Sequence, residues 1–116
     1  MGGEERRQYN RVKCEIEAFG RVLEAHSTVP PWETSINDIS EGGVRFKSNY
    51  FISVGSKFLI KLNIPHFKTV EVITQPAWVR ELPGRSQYDV GARFVDLGQE
   101  DKSVLRSFIR SQSQPA

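Results

Sequence analysis

Apolar and polar residues alternate with a period of two in several stretches of the chain, the pattern of β-strands that bury one face. The run from Phe58 to Ile64 is an example, with Phe58, Ile60, Leu62 and Ile64 on one side. Val and Ile together number 19 against six Leu, and this β-branched excess favours strands. Clusters of Gly, Pro and Ser between the runs are typical of turns. The pattern predicts six strands, at about residues 12–25, 33–39, 43–48, 57–64, 69–82 and 87–96.

The end of the chain changes to a helical period. A stripe of four apolar residues predicts an α-helix that begins near residues 97–100 and packs on the rest of the fold. The stripe consists of Val104, Leu105, Phe108 and Ile109. Short strands joined by turns, without helices between them, favour a six-stranded antiparallel β-barrel. The predicted fold class is therefore all-β with a C-terminal helix.

The length of 116 residues indicates a single domain. We expect residues 1–11 to be a flexible basic arm, residues 12–97 to form the barrel, and residues 98–112 to form the helix. Pro76 interrupts the fifth predicted strand, so we expect a bulge or an edge position there.

Composition excludes several classes of function. Sixteen Lys and Arg against fourteen Asp and Glu leave a net charge of +2, too small for a general DNA or RNA binder. The chain has no apolar run of about 18 residues, so membrane insertion is not expected. One cysteine and two isolated histidines predict neither a disulfide nor a metal site. The absence of nucleotide-loop and nucleophile motifs predicts that the protein is not an enzyme and needs no cofactor. Because the N-terminus lacks a signal-peptide pattern, we expect a cytoplasmic location.

The first candidate segment is basic and precedes the first strand. Residues 6–13 contain four positive charges and no negative ones. Arg7 and Arg11 are spaced i, i+4, so one helical or turn-like bend would point both side chains the same way. An Arg guanidinium can hold phosphate oxygens or the O6/N7 edge of guanine through two parallel N–H bonds. Alone, such an arm more often contributes simply to solubility.

The second candidate segment joins the second and third predicted strands. Asp38 and Ser40 are two residues apart at a strand end, so both side chains can lie on one side. Gly42 and Gly43 allow either a positive φ or a close approach of the backbone to a ligand. Alone, this segment is also consistent with an ordinary Asx or Ser turn.

Together the two segments resemble the signatures of the PilZ domain family. The first signature, Arg-x-x-x-Arg, is matched by Arg7 and Arg11, and the second, [Asp/Asn]-x-Ser-x-x-Gly, by residues 38–43. Residues 77–79 and 88–94 look like later strands of that family. The resemblance covers roughly residues 5–110 and implies a six-stranded barrel that binds the bacterial second messenger cyclic di-GMP.

The resemblance also implies roles for individual residues. Arg7 and Arg11 would clamp phosphate and guanine edges, and Asp38 would accept from a guanine N–H with Ser40 as its hydrogen-bonding neighbour. Gly43, next to Gly42, would leave room for the ligand at the strand entry. An Arg directly before the first signature is typical of members that take two intercalated ligands. Arg6 therefore leads to the hypothesis of two cyclic di-GMP molecules per site.

Trp78 is a further candidate for ligand contact. Alternation along the strand predicts that its side chain faces away from those of Ala77 and Val79. It could lie beside the ligand or simply cover the barrel, and the sequence leaves both interpretations open. Arg80, two residues on, would share its strand face. Trp32 is expected to be a packing residue and Cys14 a small core residue.

The leading functional hypothesis is a non-enzymatic receptor. Cyclic di-GMP would order the basic arm over the barrel, and the changed surface would be recognised by an unidentified downstream protein. One alternative is a PilZ-like adaptor that acts through protein contacts without a ligand. Another is a barrel that binds single-stranded nucleic acid, against which the small net charge argues.

Overall fold

Six antiparallel strands form a closed barrel, followed by one helix, in the computed structural model, which describes residues 11–113. The elements are β1 (Val12–Val22), β2 (Trp32–Ile39), β3 (Gly43–Ser48), β4 (Phe58–Asn63), β5 (Thr69–Leu82), β6 (Gln87–Asp96) and α1 (Gln99–Ser113). Around the barrel the order is β1-β2-β3-β6-β5-β4. The predicted fold class is confirmed. Arg6 and Arg7 lie outside the described residues.

The predicted strand boundaries agree with the structure to within one residue, except at the end of β1. The prediction extended this strand to residue 25, but it ends at Val22. The Leu23 amide still donates to the Lys57 carbonyl at 2.9 Å, and the chain then turns, with the Ser27 amide donating to Glu24. Residues 23–25, which the prediction included in the strand, therefore belong to the following loop.

The barrel interior is filled by the inward set of alternating side chains, with an aromatic cluster at its centre. Trp32 stacks on Phe46 with ring centroids 6.3 Å apart and contacts Phe58 at 5.6 Å. Gly20 is the partner of Trp32 on β1, and a Cβ on it would fall 2.3 Å from the indole. Trp32 is thus a packing residue, as predicted.

The helix α1 packs its apolar stripe against the barrel. Leu105, Phe108 and Ile109 are buried and belong to the same core as the inward strand residues. Arg106, on the exposed side of the helix, makes a two-bond ion pair with Glu41 at 3.1 and 3.2 Å. The first turn is joined to the β4–β5 loop, where Lys68 contacts Asp101 at 3.1 Å. The helix is therefore attached to two different loops.

Cys14 is half-buried and packs against the core. Its Sγ donates to the carbonyl of Ile36 at 3.5 Å. Burial raises the pKa of the Cys14 thiol to about 11, and the negative charge of Asp38 adds to this effect. Because the thiolate is the nucleophilic form, a raised pKa keeps this thiol mainly in its less reactive, protonated form at neutral pH. Among residues 11–113, no helix is long and apolar enough to cross a membrane.

Candidate ligand-binding site

Strand register brings both candidate segments and Trp78 into one row across five strands. Lys13 of β1 pairs with Asp38 of β2, and Asp38 pairs with Arg45 of β3. The row continues from Arg45 to Gly91 of β6 and from Gly91 to Trp78 of β5. Arg45 and Gly91 are on the outer surface of the barrel, because their strand neighbours face the core, and Trp78 is exposed on the same surface. Residues distant in the sequence thus share one face.

Asp38 occupies the end of β2 and is almost completely buried. Arg11, at the edge of the described chain, donates from Nη1 to Asp38 Oδ1 at 2.7 Å. The guanidinium itself is more than half exposed, so its remaining N–H groups face solvent. The first and the second signature are therefore in direct contact.

The turn between β2 and β3 is organised by Ser40. Its Oγ accepts from the amides of Gly42 and Gly43 at 3.1 and 3.2 Å, and its own amide donates to the Gly43 carbonyl. The Gly42 carbonyl accepts from Phe94 of β6, which fixes the turn against the barrel. Ser40 therefore shapes the turn, and it lines the same groove as Asp38.

Gly43 is required by strand packing. A Cβ at this position would fall 2.0 Å from the carbonyl oxygen of Ala92 on β6. Of the two possibilities that the glycines allowed, positive φ is not used, because Gly84 is the glycine with positive φ among the described residues. The close approach is real, but here it is made to the neighbouring strand.

Trp78 lies flat over Gly91. A Cβ on Gly91 would fall 2.3 Å from Cε2 of the indole and slightly farther from Nε1 and Cζ2. Cε2 is bonded to both of these atoms, so a point closest to it lies over the ring face. One face thus rests on β6, while 41% of the residue remains exposed. An aromatic surface of this kind can stack on a nucleobase.

The predicted alternation around Trp78 is wrong at Ala77. The register shifts between Pro76 and Trp78, which confirms the bulge expected at Pro76. Because the bulge adds one residue to β5, Ala77 and Trp78 are both exposed and line the same groove. Val79 then returns toward the core.

Beside Trp78 is a charge cluster that sequence reasoning missed apart from Arg80. Arg45 donates two hydrogen bonds to Asp89, at 2.7 and 3.1 Å, and Arg80 donates one at 3.0 Å. Both guanidinium carbons lie within 6 Å of the Trp78 ring centroid, at 5.8 and 5.7 Å. The hydrogen bonds from Arg45 lower the pKa of the Asp89 carboxyl, although its burial opposes this shift.

A surface groove of about 420 Å³ joins these parts. Its lining includes every sequence-predicted site residue that the structure describes: Arg11, Asp38, Ser40, Gly42, Gly43 and Trp78. Arg45, Gly91 and Arg93 line it as well and were not predicted. For Gly91 and Arg93 the signal was present in the sequence, because residues 89, 91 and 93 alternate on one face of the same strand. Only their pairing with β3 and β5 shows that this face meets the two signatures.

The charged residues that line the groove are three arginines and one aspartate, and its volume of about 420 Å³ is enough for a nucleotide-sized anion. No group of three or more metal-ligating side chains occurs within residues 11–113. The site therefore has the chemistry of a barrel-borne anion-binding module.

The comparisons with known proteins agree with this class. The PilZ domain family matches residues 5–111, nearly the whole chain, so the chain belongs to that family. No curated protein sequence matches it.

Solved structures similar to the chain have low sequence identity. The Bacillus subtilis inhibitor of motility MotI/DgrA has a TM-score of 0.75 at 17% identity, over 91% of this chain and 51% of that one. The PilZ domain of YcgR from Escherichia coli, solved with c-di-GMP, has a TM-score of 0.71 at 15% identity, over 92% and 91%. The K. pneumonia MrkH–c-di-GMP complex has a TM-score of 0.65 at 16% identity, over 90% and 50%. The chain thus spans about half the length of MotI/DgrA and MrkH, and these likenesses concern the fold.

Proposed function

We propose that this chain is a non-enzymatic receptor for cyclic di-GMP. The observation that carries the proposal is the single groove in which Arg11, Asp38, Ser40 and Trp78 meet. Cyclic di-GMP contains two phosphates and two guanines, and the groove offers a matching group for each. Arg guanidinium groups bind phosphate or the O6/N7 edge of guanine, a carboxylate accepts from guanine N–H groups, and an indole stacks on a base. YcgR and MrkH, which share the fold, are described with this ligand.

We assign the basic arm to the same site. Arg11 already contacts Asp38, and Arg7 and Arg6 precede it by four and five residues, so a short bend brings them within reach of a ligand in the groove. Arg6 leads to the expectation of two intercalated ligand molecules. Ordering of this arm on ligand binding would change the surface that a downstream protein recognises in the bacterial cytoplasm.

The direct test is isothermal titration calorimetry of the purified chain with cyclic di-GMP, with GTP and cyclic di-AMP as controls. We expect selective binding in the micromolar range or tighter. A stoichiometry of two per protomer supports the intercalated pair, and one per protomer contradicts the role given to Arg6. If cyclic di-GMP does not bind, the receptor proposal is wrong and an adaptor that acts through protein contacts takes its place.

Arg11→Ala tests the site itself. Loss of charge-assisted hydrogen bonds worth about 1.5–3 kcal/mol should weaken affinity by roughly 10- to 150-fold. Arg21→Ala is the matched control, because Arg21 is an exposed arginine near the far end of β1, ten residues from Arg11 and outside the groove lining. Far-UV circular dichroism should confirm that both variants are folded, since Asp38 loses its partner in the first. Equal affinity of the two variants would place the ligand elsewhere.

A further inference from the structure

The groove contains three arginines that differ in how their charge is balanced. Arg11 is paired with Asp38 at 2.7 Å. Arg45 is held by two hydrogen bonds to Asp89, a carboxylate that Arg80 also contacts. Arg93 also lines the groove, and within residues 11–113 it makes no ion pair with a carboxylate.

Arg93 is nevertheless held in place. Its Nη2 donates to Oε1 of Gln75, its register partner on β5, at 3.2 Å. The amide nitrogen of Gln75 in turn donates to the carbonyl of Gly55 at 3.4 Å, so the Gln75 oxygen is directed to Arg93. A neutral amide orients the guanidinium without cancelling its charge. The remaining N–H donors of Arg93 have no partner that the structure records, and the residue is exposed.

Arg93 is also placed beside the second signature. It is the register partner of Gly43 across β3 and β6, and it lies two residues beyond Gly91 on the same strand face. Two residues of a strand span about 6.8 Å, so Arg93 forms the row next to the Arg45–Gly91–Trp78 row. A ligand with one base on Trp78 can reach this row with a phosphate, because base and phosphate in a nucleotide are separated by a comparable distance and both residues line the same groove.

We infer that Arg93 is a further ligand-binding residue, which binds a phosphate of the cyclic dinucleotide in the groove. This inference rests on the proposed function. A phosphodiester carries one negative charge, and Arg93 can meet it without first giving up a carboxylate. Arg11 and Arg45 would each have to exchange or share an existing ion pair. Among the groove arginines that the structure describes, Arg93 is therefore the one whose charge is not already paired with a carboxylate.

The test compares Arg93→Gln, Arg93→Lys and the wild type by titration with cyclic di-GMP at several salt concentrations. We expect Arg93→Gln to lower affinity by about 10- to 100-fold, the range of a lost charge-assisted hydrogen bond, and to make affinity less dependent on salt. Arg93→Lys should recover part of the loss, because an ammonium binds phosphate as a point charge but cannot reproduce a forked contact to guanine. Arg21→Gln is the matched control for removal of a surface charge.

The outcomes separate this inference from the receptor proposal. If the wild type does not bind, both are wrong. If the wild type binds and Arg93→Gln binds within twofold of it, this inference alone is wrong. A lysine variant as weak as the glutamine variant would also overturn the phosphate assignment. The thermal midpoint of the ligand-free protein should be the same for all three proteins, and a lower midpoint for Arg93→Gln alone would indicate a structural role instead.

Discussion

Two tryptophans of this barrel lie on glycines of the adjacent strand, one inside and one outside. Trp32 covers Gly20 and is 6% exposed, whereas Trp78 covers Gly91 and is 41% exposed. In both pairs a Cβ on the glycine would fall 2.3 Å from an indole carbon. The local arrangement is the same, and only the side of the sheet differs.

That difference decides what each indole does. The ring of Trp32 has Phe46 and Phe58 as further partners, so it fills the barrel and stabilises the fold. The ring of Trp78 has the guanidinium carbons of Arg45 and Arg80 within 6 Å of its centroid and is still partly exposed to solvent, so it is accessible to a ligand. The space above a glycine thus lets a tryptophan pack into the core in one place and form part of the groove in the other.

The largest expected effect comes from truncating the inner ring. Trp32→Ala should lower the free energy of unfolding by about 3–5 kcal/mol, the range for loss of a large core aromatic. Trp78→Ala should lower it by about 1 kcal/mol, because this ring lies outside the core. Urea denaturation of both variants measures the difference. Equal losses of stability would contradict the assignment of Trp32 to core packing and of Trp78 to ligand binding.

Among variants that fold, truncation of Trp78 should reduce ligand affinity more than truncation of Trp32. Trp78→Ala should weaken cyclic di-GMP binding by about 1–3 kcal/mol if a base stacks on the indole. Trp78→Phe, which keeps an aromatic face, should lose less. Calorimetry on folded protein tests this, and unchanged affinity in Trp78→Ala would remove Trp78 from the site.

Adding one methyl group under each ring sharpens the comparison. Gly20→Ala should destabilise the protein by about 1–3 kcal/mol, because Trp32 is enclosed and cannot move away. Gly91→Ala should affect stability less, since Trp78 can tilt toward solvent, and should instead disturb ligand binding. Thermal unfolding and Trp fluorescence of the two variants distinguish these results. A larger stability loss in Gly91→Ala would contradict the comparison.

The smallest effect concerns the carboxylate beside the outer ring. The folded pKa of Asp89 is lowered by Arg45 and Arg80, so its charge stabilises the protein above the ordinary carboxyl pKa of about 4. This contribution disappears as pH falls through the lowered value. Asp89→Asn should therefore be less stable than wild type at pH 7, with a gap that narrows below about pH 4. Asp96→Asn, on the same strand, is the control, and a gap independent of pH would contradict the prediction.

Much of the fold followed from local pattern, because each strand buries one face and alternation records that directly. The aromatic filling of the barrel by Trp32 was also predictable, as a large apolar residue beside a strand start. The two signatures identified Asp38, Ser40 and Arg11 through their spacing, and the structure brings these three together.

The remaining parts of the site depend on pairing between distant strands. Arg45 and Asp89 are 44 residues apart, and their contact requires β3 and β6 to be neighbours. The bulge after Pro76 shifts the faces of β5, so strict alternation misplaced Ala77. The sequence does not distinguish Arg93 from Arg45, because only the pairing of distant strands gives Arg45 a carboxylate partner and leaves Arg93 without one among the described residues.

The ion pair between Glu41 and Arg106 connects the groove to the end of the chain. Glu41 is inside the second signature, between Ser40 and Gly42, so the turn at the groove and the helix α1 hold each other. The helix thus acts as a brace for this turn, and shortening the chain before it would loosen the turn as well as uncover the core. The rate of hydrogen exchange at the amides of Gly42 and Gly43 would then increase when the Glu41–Arg106 contact is lost. These two amides therefore report on the docking of a helix residue that is 65 positions away from Glu41 in the sequence.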